Sequence, residues 1–219
     1  MKRPAVIVPA ILAALAFAVS AVLYTRLPHT VAIHWNLHGE PDGFAPRPFA
    51  AFFLPVVILL TSALHGLAHR FDPRKVNLQR SSTALTVSVI ALAIVVTAAH
   101  LAILAVALGI GVSIPALAIG CVGLLLTISG NYMGKTRSNF AFGIRNRWTL
   151  SDERVWDRTH RVAGRIFVAE GLAAMLIAVS GSSGPRSGLA VISVLVGTLV
   201  IIQFYAYREW RKLHPAAKN

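Results

Sequence analysis

Residues 130–164 read GNYMGKTRSNFAFGIRNRWTLSDERVWDRTHRVAG, a hydrophilic stretch that lies between two long apolar segments. It is dense in Lys and Arg, contains two Trp residues and carries a helix-start signal near residues 149–153. Charge of this density beside apolar runs of membrane length is typical of a bilayer surface. The stretch therefore predicts a membrane protein, and its charge bears on the orientation of the chain.

The composition of the whole chain supports a membrane location. The 219 residues are 56% hydrophobic, and 21 Lys or Arg against 8 acidic residues give a formal net charge of +13. Because the positive charge borders the apolar runs, it favours contact with membrane lipids and a topology signal over direct binding of nucleic acid. The single cysteine, Cys121, excludes a disulfide within the chain.

Six apolar segments are long enough to cross a hydrocarbon core of about 30 Å. They lie at residues 4–24, 49–69, 83–108, 113–132, 162–180 and 188–207. Backbone groups in lipid need partners within the same segment, and the runs do not alternate as the strands of a β-barrel would. We therefore expect an all-α integral membrane protein, a bundle of six transmembrane helices.

The distribution of charge predicts that both termini are cytoplasmic, an N-in/C-in topology. With that orientation 18 of the 21 basic residues lie inside, and the remaining three are Arg26, Arg47 and Arg186. An alternative is that the first segment, which follows Lys2 and Arg3, is a cleaved signal peptide. The length of this apolar run and the even number of segments favour a span instead.

We expect a single compact membrane domain with two parts. Residues 1–70 would form the first helical hairpin, with an ordered outer loop at 25–48. Residues 71–219 would form a four-helix part, with a large basic inner loop at 133–161.

The outer loop combines a short β-like segment with strong turn signals. Residues 31–35 have β character, turn residues follow at 36–39 and 41–43, and Pro46 and Pro48 introduce the second span. The residues that make this loop a candidate site are His34, Trp35, Asn36, Gly39 and Asp42. Imidazole and carboxylate groups suit zinc or another divalent metal. One interpretation is therefore a metal site, whose ligands would be His34, His38, Glu40 and Asp42. The other is a turn-rich loop in which the polar groups form hydrogen bonds with one another.

The inner loop is predicted to be irregular at first and helical later. Gly143 permits a sharp turn, and Thr149 or Ser151 would N-cap an amphipathic helix at about 152–161. Trp148 and Trp156 are expected at headgroup level. The arginines fit lipid phosphates, nucleotide phosphates or an acidic partner protein, or they form a lipid-contacting collar. The candidate binding residues are Asn139, Gly143, Arg145, Arg147, Trp148, Arg154, Trp156, Arg158 and His160.

Polar residues within the spans form a second class of candidates. Glu170 lies near the middle of the fifth span, where a carboxylate is costly unless it has a partner. Two interpretations stay open, a polar cluster that joins helices and a substrate or proton site. The other members of this class are His65, His100, Asn131 and Gln203. The sequence has no H-E-x-x-H or G-x-S-x-G motif, so it favours a non-enzymatic function without excluding an enzyme.

Two segments resemble the SdpI family of bacterial membrane proteins. Members have an N-terminal DUF1648-type segment, and here LPHTVAIHWNLHGEPDGFAPRP carries its pattern at Leu27, Pro28, His34, Trp35, Asn36, Gly39 and Asp42. A later segment of the family is carried by Gly130, Asn131, Tyr132, Met133, Asn139, Gly143, Ile144, Arg145, Trp148, Thr149, Leu150, Trp156, Thr159, His160 and Gly164. The chain departs mildly from the pattern at Gly134 and His38.

The resemblance implies a multi-pass protein of the bacterial inner membrane that protects against a secreted, membrane-acting peptide toxin. A toxin would act at the outer side, and a cytosolic regulator protein would bind at the inner loop. The alternative function is a membrane enzyme or transporter for a lipid or small solute. It would use Glu170 with His65, or a metal held by the outer loop.

Overall fold

A computed structural model describes residues 3–215, in which eight α-helices, a short 3-10 helix (Tyr24–Arg26) and one two-stranded hairpin account for the secondary structure. Lys2 and Lys218, which belong to the predicted cytoplasmic charge, lie outside the described residues. The elements in chain order are α1 (Pro4–Leu23), β1 (Thr30–Trp35), β2 (Pro41–Pro46), α2 (Arg47–Phe71), α3 (Lys75–Arg80), α4 (Ser82–Ala107), α5 (Ile114–Met133), α6 (Arg147–Ser151), α7 (Glu153–Val179) and α8 (Pro185–Leu213).

The prediction of a bundle of six spanning helices is confirmed. Within residues 3–215, six helices are long and apolar enough to cross a membrane, namely α1, α2, α4, α5, α7 and α8. The fifth span differs from the prediction, because α7 begins at Glu153 rather than near residue 162. The predicted amphipathic segment at 152–161 is therefore the first part of a single helix that continues into the membrane.

The helices pack in two groups joined by α4. Helices α1, α2 and α4 meet around a cluster of Ala13, Ala16, Ile58 and Ala93, whose small side chains let the helices approach closely. Helix α5 packs along α7, and α8 lies mainly against α7. Helix α4 also contacts α5, so it joins the two groups. The division into residues 1–70 and 71–219 stays a prediction.

Glycines bring α5 and α7 into backbone contact. A Cβ atom at Gly164 would lie 2.6 Å from the carbonyl oxygen of Gly130, and one at Gly171 would lie 2.6 Å from that of Gly123. Both separations are shorter than any real Cβ contact. Helices α5 and α7 are therefore the most closely packed pair in the group that contains α5, α7 and α8.

The predicted ordered outer loop is a β-hairpin. Strands β1 and β2 pair antiparallel, with Thr30 opposite Pro46 and Trp35 opposite Pro41. The turn between them closes on Asn36, whose Oδ1 accepts hydrogen bonds from the backbone N–H groups of His38 (2.9 Å) and Glu40 (3.1 Å). The β character of residues 31–35 is confirmed. Strand β2 was not predicted, because Pro and Gly disfavour strands.

The connections segregate to two ends of the bundle. At the first, called the hairpin end, the hairpin lies over the starts of α5 and α8: Gly39 is near Pro115, and Leu37 is near Gly188. At the second, called the basic end, α3 and the last turns of α8 each contact the loop at residues 134–152. This loop is called the basic loop.

Candidate functional site

Paired polar side chains cover the exposed face of the hairpin. His34 Nδ1 lies 2.5 Å from Asp42 Oδ1, and the His34 side chain is 72% exposed. Asn36 Nδ2 donates to Glu40 Oε2 at 3.0 Å. Within residues 3–215 no three His, Cys, Asp or Glu side chains are gathered as metal ligands. The four ligands suggested by the sequence are thus divided between separate contacts, and His38 does not join them.

An apolar cavity of about 190 Å³ lies beneath the hairpin. Trp35 and Leu37 form its roof, and the first turns of α5 and α8 form its walls at Ile114, Pro115 and Gly188. Asn36 is the polar residue of the roof. The hairpin end therefore presents an ordered surface over an apolar recess.

At the basic end, His160 organises the basic loop. Its Nε2 accepts a hydrogen bond from the backbone N–H of Ile144 (2.9 Å), so its Nδ1 carries the hydrogen that faces the Trp156 carbonyl (2.8 Å). Gly143 has a φ of +117°, and a Cβ there would lie 2.5 Å from His160 Nε2. The predicted sharp turn at Gly143 is confirmed, and it lets the loop close over the His160 ring.

Trp156 is an interior residue, so its side chain is covered by protein rather than by lipid headgroups. It is 0% exposed, its ring stacks on His160 with 3.8 Å between centroids, and its Nε1–H donates to the Thr136 carbonyl at 3.1 Å. Trp148 is half-buried, with its ring 5.2 Å from that of Tyr207. Of the two tryptophans, Trp148 alone keeps access to the surroundings of the bundle.

Asp72 attaches the basic loop to the end of α2. Its Oδ1 accepts from the Arg74 backbone N–H at 2.7 Å, and its Oδ2 accepts from the Phe140 backbone N–H at 2.8 Å. Arg74 then donates to the Leu150 carbonyl at 2.6 Å and to the Ser138 hydroxyl. Sequence reasoning missed Asp72. The signal available was that it is one of only eight acidic residues in a strongly basic chain.

The helix start in this region differs from the prediction. A short helix that was not predicted, α6, comes first; Asn146 caps it, and its Oδ1 accepts from the N–H groups of Trp148 and Thr149. Asp152 caps α7 by accepting from the Arg154 N–H at 2.8 Å. Asp152, expected in the first turn of the helix at 152–161, therefore takes the capping position that was predicted for Thr149 or Ser151, and those two residues lie in α6 instead.

The five arginines between residues 134 and 160 fall into two classes. Three have carboxylate partners: Arg137 pairs with Asp157 (3.1 Å), Arg154 with Asp152 (2.8 Å) and Arg158 with Glu209 (2.8 Å). The side-chain hydrogen bond from Arg154 is the main reason that the pKa of Asp152 is lowered from 3.8 to about 2.

Arg145 and Arg147 are the other class. Arg145 donates to the Phe140 carbonyl, and the Arg147 guanidinium lies 5.0 Å from the centre of the Trp148 ring. Both side chains are exposed, and neither pairs with a carboxylate in the part of the chain that the structure describes. They are the arginines of the basic loop whose charge is uncompensated.

Two segments of the chain match families of known proteins. Residues 11–59 match a domain of unknown function, DUF1648, and residues 135–207 match the SdpI/YfhL protein family. The chain is similar to the SdpI family of membrane proteins. A relative, "Immunity protein SdpI" of Bacillus subtilis (strain 168), is 29% identical over 208 residues, which cover 95% of this chain and 97% of the relative. No solved structure matches the chain.

The two family segments coincide with the two ends described above. The DUF1648 match contains the hairpin together with most of α1 and the first half of α2. The SdpI/YfhL match contains the basic loop, α6, α7 and most of α8. The chain is a multi-pass protein of the bacterial inner membrane, and its exposed apolar side chains, such as Leu15, Val22 and Leu176, contact lipid.

The structure divides the predicted binding residues of the basic end by exposure. Asn139, Trp156 and His160 are each 0% exposed, and they shape the loop from within. Asn139 Oδ1, for example, accepts from the N–H groups of Ala141 and Phe142. The exposed members are Arg145, Arg147, Arg154 and Arg158. A binding role for these residues stays a prediction.

The polar residues of the spans do not form one cluster. His100 Nε2 lies 2.9 Å from the Ser20 hydroxyl, and His65 Nε2 lies 3.2 Å from that of Thr86. Glu170 accepts from the Thr198 hydroxyl, which joins α7 to α8.

The remaining two polar residues lie close to the basic end. Gln203 accepts from Asn146 at 2.6 Å, and Asn131 lies exposed beside Arg161 and Arg165. The described contacts therefore do not gather Glu170 with His65, Asn131 and Gln203 into one polar cluster.

Proposed function

We propose that this protein is an SdpI-like immunity protein that protects the inner membrane against a membrane-acting peptide toxin and binds a cytosolic regulator. The observation that supports the proposal most directly is the pairing of two differently built ends on one bundle. A rigid hairpin over an apolar recess lies at one end, and a basic surface held by buried polar contacts lies at the other.

The hairpin end is suited to contact an amphipathic peptide. Its outward face offers His34, Asp42 and Phe44, of which Phe44 is 60% exposed, and its inward face roofs the apolar cavity. A membrane-acting peptide carries polar and apolar groups side by side, and both kinds of partner are offered here within one hairpin. We place the toxin contact at this end.

The basic end is suited to an acidic partner protein. Arg145 and Arg147 have no carboxylate of their own among residues 3–215, so their guanidinium groups are available for charge-assisted hydrogen bonds. Trp148 beside them adds an aromatic surface of the kind enriched in protein interfaces. The regulator would therefore present carboxylates to this surface.

A toxin challenge tests the proposal. A toxin-sensitive bacterium that lacks its own immunity gene is grown with and without this chain, in the presence of the peptide toxin countered by the Bacillus subtilis relative. We expect growth with the chain and lysis without it. The relative, produced in the same bacterium, is the positive control. If cells lyse although their membranes contain as much of this chain as of the relative, the immunity role is contradicted.

Variants of the basic loop test whether its exposed side chains are needed for protection. Arg145→Glu and Trp148→Ala should abolish protection while the protein still inserts in the membrane. The matched control is Arg154→Gln, which changes an arginine already held by Asp152. If Arg145→Glu and Trp148→Ala both protect fully, the basic loop serves as a lipid-contacting collar and the regulator role is lost.

No specific observation favours an enzyme or a transporter that uses Glu170 with His65. His65 bonds α2 to α4, whereas Glu170 bonds α7 to α8, so the two side chains belong to different helix groups. The metal version of that alternative lacks a three-ligand cluster in the described part of the chain.

A further inference from the structure

Glu170 lies in the wall of a small apolar cavity of about 140 Å³ between α7 and α8. Its Oε1 is fixed by the Thr198 hydroxyl, but its Oε2 is buried and has no hydrogen-bond partner. The rest of the wall is made of side chains such as Leu126, Ala174 and Val194, which offer no donor. One carboxylate oxygen is therefore held without a partner in apolar surroundings.

Glu209, a buried glutamate in α8, has the charged partners that Glu170 lacks. Glu209, 4% exposed near the basic end, accepts from Arg158 at 2.8 Å and from Lys212 at 2.5 Å. Among residues 3–215, no Lys, Arg or His lies within ion-pair distance of Glu170. A carboxylate within a membrane span is costly unless it is paired, and such a residue marks a functional site by default.

The Glu170 cavity adjoins the cavity beneath the hairpin. Val191 of α8 lines both, with Glu170 on one side and Trp35 at the far side of the other. Helix α8 borders the cavity beneath the hairpin through Gly188 and Ile192 and the Glu170 cavity through Val194 and Leu195, none of which has a side-chain donor. We call these two adjacent cavities, which share Val191 in their walls, the crevice; it has the hairpin at one end and a single carboxylate at the other.

We propose that this crevice binds an apolar amine, a molecule with an aliphatic body and one cationic amino group. The aliphatic body would lie along Val191 and beneath Trp35, and the ammonium group would donate to Glu170 Oε2. This pairing supplies the missing hydrogen bond and the missing positive charge in one step. The site is separate from the basic loop, and it does not depend on the immunity role.

A hydrophobic carbodiimide tests the site, because it reacts with carboxyl groups that lie in apolar surroundings. The full chain, purified in phosphatidylcholine nanodiscs, is treated with dicyclohexylcarbodiimide, and labelling of Glu170 is followed by mass spectrometry as the sum of the carbodiimide adduct and the amide that a primary amine forms with the activated carboxyl group. We expect dodecylamine to slow labelling by about tenfold or more at a concentration ten times its Kd. Dodecanol and dodecanoate at the same concentration should leave the rate unchanged.

Three results would overturn the proposal. Equal protection by dodecanol would show that the carboxylate takes no part, and failure of dodecylamine to protect would show that no amine binds. Absence of any adduct on Glu170 would show that the crevice does not admit an apolar molecule. The wild-type protein alone decides among these outcomes, so they do not depend on how a variant folds.

A matched pair of variants on α8 locates the amine. Val191→Phe fills the crevice where the two cavities meet and should remove the protection by dodecylamine. Val196→Phe places the same bulk on the same helix at a position that is 56% exposed and lines neither cavity, so protection should persist. Equal loss in both variants would place the amine elsewhere. Because none of these readouts involves a toxin, their failure leaves the immunity proposal intact.

Discussion

Asp152 makes the start of α7 sensitive to acid. Its pKa is lowered from 3.8 to about 2, chiefly by the side-chain hydrogen bond from Arg154. A carboxyl group whose pKa is lower in the folded state stabilises that state above its unfolded pKa and loses the effect as the pH falls. The contribution of Asp152 is therefore complete above about pH 4 and disappears towards about pH 2.

The variant Asp152→Asn should consequently unfold at a lower temperature than wild type near neutral pH. The difference should shrink as the pH falls from about 4 towards 2, because protonation removes the same charge from wild type. Thermal unfolding of detergent-purified protein, followed by circular dichroism at several pH values, measures this. The control is Asp157→Asn, which removes an exposed pairing with Arg137. A constant gap across the acid range would contradict the assignment.

Asp72, which follows α2, should be needed to hold the basic loop in its folded conformation. Asp72→Ala removes the acceptor of two backbone N–H groups, those of Arg74 and Phe140, at a side chain that is 4% exposed. Leaving buried donors unsatisfied costs about 1–3 kcal/mol each. We expect faster tryptic cleavage in the basic loop at Arg137 and Arg145. Asp157→Ala, which opens a surface ion pair worth about 0–1 kcal/mol, should leave the cleavage rate nearly unchanged.

The burial of Trp156 could not be predicted from the residues near it in the sequence. An aromatic residue among arginines is typical of a membrane interface, and that pattern placed Trp156 at headgroup level. Its burial depends on Thr136, which lies 20 positions earlier and accepts its N–H. Gly143 was identified from the sequence, because a glycine between apolar residues is a local signal for a turn. The partner of that turn, His160, is not local.

At the scale of elements, the spans were predictable because apolar length is a local property. The predicted segments 83–108 and 113–132 agree with α4 and α5 to within one residue at each end. The start of α7 was not predictable in this way. Its first turns carry four charged residues, yet Val155 and Trp156 on the same turns are 0% exposed because the basic loop covers them.

The glycine contacts between α5 and α7 give the prediction at this scale. Gly171→Ala would place a methyl group 2.6 Å from the Gly123 carbonyl, so the helices must separate, and overpacking of this kind costs about 1–3 kcal/mol. The matched control is Gly197→Ala in α8, where nothing lies within 4 Å of the added methyl group. We expect Gly171→Ala to lower the unfolding temperature and Gly197→Ala to leave it equal or raise it. Equal losses would show that α5 and α7 are not held this closely.

At the scale of the whole molecule, charge separates the two ends. Arg26, Arg47 and Arg186 are the Lys and Arg residues of the hairpin end, and the basic residues of the connections at 72–81 and 134–152 lie at the other. The fold brings those two connections together through contacts such as Arg74 to Leu150 and Asn77 to Glu153. The charge that was counted along the sequence is therefore concentrated on a single face of the bundle.

This concentration predicts that the basic end faces the cytoplasm and the hairpin faces outward. In a Cys121→Ala background, His34→Cys and Arg145→Cys each introduce one thiol at an exposed position, at opposite ends of the bundle. In intact spheroplasts, a membrane-impermeant maleimide should label His34→Cys but should reach Arg145→Cys only after the membrane is permeabilised. Arg186→Cys, at the hairpin end, is the control and should behave like His34→Cys. Labelling of Arg145→Cys in intact spheroplasts would reverse the orientation, and the toxin and regulator contacts proposed above would then have to exchange ends.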